Sequence, residues 1–181
     1  WQGTEKQWKL LKRGILFMII LILPVAFGIH TITSWLFAVN PRVGWHSTIF
    51  GPYFVSGAFV AGSAAVVIAM YFFRKRQKLQ DYLTDRHFKN MNKLLVLTAI
   101  LYLYFNINEF LVPGYTWKRL DGAHLQELFF GHEALLFWFT QIFCLLIPII
   151  LLLFKPMRKP LPGMIIAMFV LVGAWIKRIL I

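Results

Sequence analysis

Apolar residues in this chain fall in five long blocks separated by short polar segments, not at the spacing of a half-buried helix. A helix needs about 20 mostly apolar residues to cross the hydrocarbon core of a bilayer. The blocks that approach or reach this length cover about residues 14–39, 51–73, 94–112, 134–154 and 161–181. The pattern therefore predicts an all-α, polytopic transmembrane helix bundle.

Two of these spans, the third and the fifth, have unusual boundaries. Pro113-Gly114 closes the third block, so we expect that helix to end there. The fifth block meets Lys177-Arg178 after only 16 residues. It is short for a span, and we expect it to be tilted, re-entrant or extended by further residues.

The second span carries a face of small residues, with Gly57, Ala61, Ala65 and Ala69 recurring every fourth position. Small residues on one face let neighbouring helices approach closely in a membrane. The pattern predicts that this helix is central in the bundle and packs through this face.

Composition supports a membrane protein, since 59% of the residues are hydrophobic and only 14% are charged. A soluble domain carries about 25% charged residues. The chain begins with Trp1, not Met, and ends inside an apolar run, which predicts that it is part of one transmembrane domain in a longer protein. Its single cysteine, Cys144, provides neither a disulfide framework nor a cysteine-only metal site.

The formal net charge of +12 does not indicate nucleic-acid binding, because the basic residues lie mostly between the apolar blocks. Fourteen Lys and Arg residues precede the first span or lie in the loops after the second and fourth spans, whereas the opposite loops hold three. The richer side is predicted to be cytoplasmic. Lys177 and Arg178 are the exception to this distribution.

Polar residues within the spans gather towards the predicted non-cytoplasmic end. Ionisable side chains inside a membrane usually have a partner or a function. Tyr102, Asn106 and Glu109 are spaced by four and three residues, so they share a helix face. The candidate site residues are His30, Ser34, Trp35, His46, Tyr53, Asn106, Glu109 and His132.

An imidazole and a carboxylate near one membrane surface can accept the protons of a quinol, and aromatic walls can hold its ring. His30 and Glu109 are the predicted acid–base pair of such a site. Other interpretations stay open at this stage. Glu109 can lie at headgroup level, and His132 with Glu133 can simply begin an interfacial helix. His30 can be a buried histidine bonded to a neighbouring helix.

The tryptophans fit an aromatic belt at the membrane surface as well as a ligand site. Haem b is a further alternative, for which His30 and His132 are the only pair of ligands considered. A transporter or a structural scaffold is another. The sequence shows no CxxCH, CxxC or phosphate-binding glycine loop, and no other metal site is predicted.

Two neighbouring segments resemble a known family. The first is a His-x3-Ser-Trp segment, His30 to Trp35, which ends the first span. The second is Trp-His-Ser-Thr-Ile-Phe-x-Pro-Tyr-Phe, Trp45 to Phe54, which opens the next span ahead of a Gly/Ala-rich helix. They are similar to NrfD/polysulfide-reductase-type membrane subunits, and more closely to the quinol-oxidising subunit (ActC-like) of bacterial alternative complex III.

The resemblance implies a subunit of the bacterial inner membrane that has no redox cofactor of its own and binds menaquinol or ubiquinol near the periplasmic face. Its implied partners are a periplasmic iron–sulfur subunit, cytochrome c subunits, a homologous NrfD-like membrane subunit and lipid. The family is also linked to proton translocation. These spans contain no continuous chain of acidic or histidine residues to the cytoplasmic side, only Thr98, Tyr102 and Gln141 as steps.

Overall fold

The computed structural model describes residues 3–40, 49–116 and 119–180, and these form an all-helical bundle. Five helices are long and apolar enough to cross a membrane, which confirms the predicted fold class. They are α1 (Glu5–Ala38), α2 (Phe50–Arg76), α3 (Asp85–Thr116), the fourth-span helix (Ala134–Leu153) and α7 (Pro160–Leu180).

The fourth-span helix consists of three consecutive segments. These are α5 (Ala134–Phe139), a π-helical segment (Thr140–Leu146) and α6 (Ile147–Leu153). A short π-helical insertion changes which residues face the bundle, and such insertions are frequent at functional sites.

The apolar core lies where α2, α3, the fourth-span helix and α7 meet. Val67, Leu95 and Ala167 are fully buried there, and Leu152 and Val170 are nearly so. Helix α1 packs chiefly against α2. Among its described residues only Ser34 is buried, so nearly all of its apolar surface is exposed, as expected for a helix that faces lipid or other membrane helices.

Helix α2 is central, as predicted, because it packs against α1, α3 and α7. The predicted contact face is correct only in part. Gly57 contacts Tyr102, but Ala65 and Ala69 are exposed, and the buried face continues instead through Val60, Ala64 and Val67. The neighbouring helices, and not the small residues alone, decide which side is buried.

Helix α3 does not end at Pro113 as expected, but continues to Thr116. A proline within a helix leaves the carbonyl four residues earlier without its hydrogen bond, and here that carbonyl belongs to Glu109. Helix α7 extends over 21 residues and includes Lys177 and Arg178, so it is long enough to be a span.

One helix was not expected. Helix α4 (Arg119–Phe130) lies in the loop between the third and fourth spans and packs against α3 and α5. Leu125 and Leu128 are buried and three residues apart, which is a helical spacing that could have indicated it.

The end of the bundle that carries Arg74 and Arg158 is called the basic end below. There Arg74 forms an ion pair with Asp85 at 2.7 Å, joining the end of α2 to the start of α3. Arg158 donates hydrogen bonds to the carbonyls of Leu152 and Leu153, which lie at the end of α6. Most cations of this end are exposed, and Arg158 instead closes a helix C-terminus.

Candidate functional site

A cavity of about 420 Å³ opens between the helices at the end of the bundle opposite the basic end. We call this the cavity end. The cavity walls are mainly aromatic and aliphatic, with a few polar side chains, which is the usual character of a small-molecule site. Its lining residues are Phe37, Phe50, Tyr53, Phe54, Gly57, Val60, Tyr102, Thr140, Gln141, Cys144, Leu145, Val170, Gly173, Ala174, Lys177 and Arg178.

Two tyrosines form one polar wall of the cavity. The rings of Tyr53 on α2 and Tyr102 on α3 stack with centroids 5.2 Å apart, and their hydroxyl oxygens lie 2.9 Å from each other. Gly57 makes room for this pair, because a Cβ atom there would lie 3.2 Å from Cε2 of Tyr102. The stacking leaves two adjacent hydroxyl groups positioned by rigid helices.

The π-helical segment also lines the cavity, with Thr140, Gln141 and Cys144. Asn106 of α3 donates a hydrogen bond from Nδ2 to Oε1 of Gln141 at 2.6 Å, and the Gln141 amide lies 3.5 Å from Oδ1 of Asn106. This pair of amide contacts fixes the orientation of the Gln141 side chain. Gly173 lets α7 approach the Cys144 side chain closely, since a Cβ atom at Gly173 would clash with it.

A buried cation lies at the wall of the cavity. Lys177 of α7 lines the cavity, yet only 4% of its surface is exposed. Its Nζ atom lies 4.3 Å from the ring centroid of Phe110 and 5.1 Å from that of Phe137. Rings at these distances attract a cation through their negative faces.

Glu109 lies behind the cavity wall and is absent from the residues that line it. Its carboxylate interacts with the Tyr53 hydroxyl and with the charge of Lys177, although no direct ion pair with Lys177 is formed among the described residues. Atom Oε2 of Glu109 is buried and accepts no hydrogen bond from the part of the chain that the structure describes. A buried oxygen of this kind can take a proton or a hydrogen bond delivered from the cavity side.

Of the predicted site residues, the structure brings Tyr53, Asn106 and Glu109 together around this cavity. The α1 residues lie to one side of them. The His30 ring is 6.4 Å from that of Phe54, which itself lines the cavity, so His30 is one side chain removed from it. The two members of the predicted pair are therefore on different helices, His30 on α1, which packs chiefly against α2, and Glu109 on α3.

Ser34 and Trp35 take part in helix packing. Ser34 is fully buried and donates a hydrogen bond to the Thr31 carbonyl. A Cβ atom added at Gly51 would lie 3.5 Å from the Ser34 hydroxyl and 3.7 Å from the Trp35 indole nitrogen, so both residues contact α2 there. Trp35 is nevertheless 63% exposed, as expected for an aromatic belt.

One predicted histidine, His132, does not lie at the cavity. His132 is exposed in the turn before α5, where its backbone N–H donates to Oε1 of Glu127 at 3.1 Å. Since α1 packs chiefly against α2, His30 and His132 lie on elements that do not pack together. His46 lies outside the described residues.

Of the predicted site residues that the structure describes, only Tyr53 lines the cavity. The other polar lining residues of the cavity were not predicted as site residues, namely Tyr102, Thr140, Gln141, Cys144, Lys177 and Arg178. The two cations broke the charge distribution across the membrane, and this exception was the available signal. A cation at the non-cytoplasmic end of a span is unusual, so a buried partner or a functional site could have been expected.

Comparison with known proteins agrees with this architecture. The family model described as polysulphide reductase, NrfD matches residues 4–181. The chain belongs to the NrfD family. As an NrfD-family chain with five helices able to span a bilayer, it is a multi-pass membrane protein.

Among curated proteins, this NrfD-family chain is similar to a subunit of the selenate reductase of Mesobacillus selenatarsenatis, with 29% identity over 144 residues. The match covers 78% of this chain and 33% of that protein, so the chain spans about a third of the length of this relative.

Proposed function

We propose that this chain forms the quinol-binding part of an NrfD-family membrane subunit in a respiratory oxidoreductase, and that quinol is bound and oxidised at the cavity end. The observation that carries the proposal is the aromatic cavity of about 420 Å³ with the Tyr53–Tyr102 hydroxyl pair in its wall. A quinol headgroup needs a flat apolar slot with hydrogen-bond partners for its two ring oxygens, and this cavity offers both.

The bound quinol supplies two electrons and two protons, and the protein must bind the ring and take the protons. Tyr53 and Tyr102 provide hydroxyls that can donate to or accept from a ring oxygen. Gln141, held by Asn106, provides a further hydrogen-bond partner in the cavity wall. The tyrosines and Gln141 would together hold the oxygens of the ring.

Glu109 is the residue proposed to hold a released proton. It interacts with the Tyr53 hydroxyl, and its Oε2 atom has no hydrogen-bond donor among the described residues. A proton leaving the cavity through the Tyr53 hydroxyl would therefore meet a buried carboxylate that can accept it. His30, which lies beside Phe54 just outside the cavity, is the residue proposed to accept the second proton.

The electrons would leave to a partner subunit, since the proposal assigns this chain no redox cofactor. The relative is named as one subunit of a reductase, which favours an assembly of several subunits. The proposed partners are a periplasmic iron–sulfur subunit and cytochrome c subunits, with a second NrfD-like subunit in the bacterial inner membrane, as in alternative complex III. Menaquinol and ubiquinol both fit this chemistry.

A haem b anchor is less well supported, because the candidate ligands His30 and His132 lie on elements that do not pack together. A pyridine haemochrome spectrum of the purified subunit would reveal haem b directly. A transporter would carry a solute without any quinol, and a scaffold would tolerate loss of the cavity. A substitution that fills the cavity distinguishes a scaffold from a quinol site.

Filling the cavity tests the proposal without removing a polar group. Ala174 lines the cavity, so Ala174→Phe in the full-length subunit of the assembled complex should place a ring where the quinol headgroup would lie. We expect quinol:acceptor turnover to fall about tenfold or more, since an obstructed slot cannot bind the ring.

The matched control is Ala65→Phe, which adds the same ring to an exposed position on α2. It should leave turnover unchanged, and gel analysis of the purified complexes should show that both variants assemble with all their subunits. Full turnover of the Ala174→Phe complex would contradict the proposal.

A further inference from the structure

The cavity end contains a buried cation that has no part in the proposed quinol chemistry. Lys177 is nearly fully buried, although Lys is among the residues least often found inside a protein. Its ammonium lies against the rings of Phe110 and Phe137, which hold it on the side of α7 that faces α3 and α5. Its position is therefore fixed by packing.

A buried positive charge needs a compensating negative charge, and Glu109 supplies it. Arg178 is the other cation at the cavity, and its guanidinium lies 5.8 Å from the centroid of the Phe54 ring. Among the described residues, Glu109 is the only carboxylate whose charge acts on Lys177.

The two members of the pair differ in access to the cavity. Lys177 is part of the cavity wall, whereas Glu109 is not. An ammonium has three N–H donors, and no hydrogen bond of Lys177 to another described residue occupies them. Lys177 thus borders the cavity with N–H donors that no described residue occupies, while Glu109 stays behind the wall.

We propose that Lys177 donates a hydrogen bond to a ring oxygen of the bound substrate, so that the cavity prefers a headgroup oxygen that carries negative charge. This inference rests on the proposed function. Glu109 acts as the counter-ion of the buried Lys177 when the cavity is empty, whereas the second cation, Arg178, is exposed. Lys177 therefore selects the deprotonated hydroxyl of a quinol or hydroxyquinone over a neutral oxygen of the same size.

Two probes of almost the same shape test this preference. At neutral pH 2-hydroxy-1,4-naphthoquinone is an anion, whereas its 2-methoxy ether is neutral. Inhibition of quinol turnover by each probe is measured on the complex with the full-length subunit. We expect the wild-type complex to bind the anion about tenfold more tightly, the difference expected for one hydrogen bond between charged groups.

Lys177→Met should remove this preference, and Lys177→Arg should retain part of it. Lys155→Met is the matched control, because Lys155 is an exposed cation at the basic end, and it should keep the full preference. A preference unchanged in Lys177→Met would overturn the inference.

The double variant Lys177→Met/Glu109→Gln distinguishes a purely structural role of Lys177 from a role in binding. Lys177→Met alone leaves a buried charge uncompensated and can lower assembly, whereas the double variant is neutral and should assemble well. We expect it to assemble and still lack the preference for the anion. Recovery of the preference in the double variant would show that Lys177 serves only as a counter-ion.

The wild-type results also distinguish failure of the proposed function from failure of the proposed role of Lys177. If neither probe competes with quinol, the proposed function fails. If both probes compete equally well, the quinol site stands and only the role of Lys177 is overturned.

Discussion

Polar side chains have different partners at the two ends of the bundle. At the basic end, Arg158 donates to the carbonyls of Leu152 and Leu153, and Asn92 donates to the Arg158 carbonyl at 3.3 Å. These bonds close helix ends. At the cavity end, the tyrosine pair and Lys177 instead face an open volume.

Each end also holds one buried oxygen without a hydrogen-bond donor among the described residues, namely Oδ1 of Asn92 and Oε2 of Glu109. Their surroundings differ. Asn92 is packed so closely against Gly163 that a Cβ atom there would clash with it, which leaves no room for a ligand. Glu109 lies next to the Tyr53 hydroxyl and Lys177, both of which reach the cavity. The comparison indicates that burial alone does not mark a functional group, whereas burial next to a cavity does.

The largest expected effect follows from neutralising the carboxylate at the cavity end. Glu109→Gln keeps the shape of the side chain and removes its ability to take a proton. Turnover of the assembled complex should fall about 100-fold, the lower range for loss of a proton acceptor.

Glu133→Gln makes the same chemical change at an exposed position and should have no effect on turnover. Equal turnover of the Glu109 and Glu133 variants would remove the proposed proton acceptor from the site.

A smaller loss is expected from the tyrosine pair. Tyr102→Phe retains the stacked ring and removes the hydroxyl that lies 2.9 Å from that of Tyr53. We expect turnover to fall about tenfold, as for one lost hydrogen bond to a charged group.

Tyr104→Phe removes a hydroxyl from a tyrosine that is mostly exposed and should leave turnover unchanged. If the two tyrosine variants behave alike, the hydroxyl pair has no part in binding.

A methyl group beside the tyrosines should have a still smaller effect. Gly57→Ala places Cβ 3.2 Å from the Tyr102 ring, which must then move by a few tenths of an ångström. Because a small misplacement of a positioning group weakens binding, KM for quinol should rise about threefold with little change in assembly.

Gly62→Ala is the control on the same helix, since a Cβ atom there meets no other atom within 4 Å. A KM that is unchanged in both variants would indicate that the position of the Tyr102 ring is not critical.

The smallest effect on turnover is expected at the basic end. Arg158→Met removes two hydrogen bonds to helix-end carbonyls and should destabilise the fold by about 1–3 kcal/mol. The midpoint of thermal unfolding should fall, while turnover per assembled complex stays at the wild-type level. Loss of turnover in fully assembled complex would contradict the division of roles between the two ends.

The five spans could be predicted from the sequence, because long apolar blocks leave few alternatives for a chain in a bilayer. Helix ends were harder to predict. Helix α3 continues through Pro113, and α4 lies in a segment whose short apolar pattern is weak. Which face of α2 packs also depended on neighbouring helices, and no single-helix pattern contains that information.

The candidate site was predictable in part for the same reason. Tyr53, Asn106 and Glu109 could be assigned to one end of the bundle from topology alone, and the structure brings them together. Topology could not show that Glu109 lies behind the wall while Lys177 lines the cavity, because that depends on the rotation of α3 and α7 about their axes. The π-helical segment, which turns Gln141 to the cavity, is likewise set by packing.

The most direct test of the central claim is photolabelling of the intact complex with an azido-quinone, followed by mass spectrometric mapping of the labelled peptides. The cavity predicts that label attaches to the peptides that contain Tyr53, Tyr102 and Gln141, and that excess unlabelled quinone suppresses it. Label that is confined to other parts of the complex, or that excess quinone does not suppress, would contradict quinol binding at this cavity.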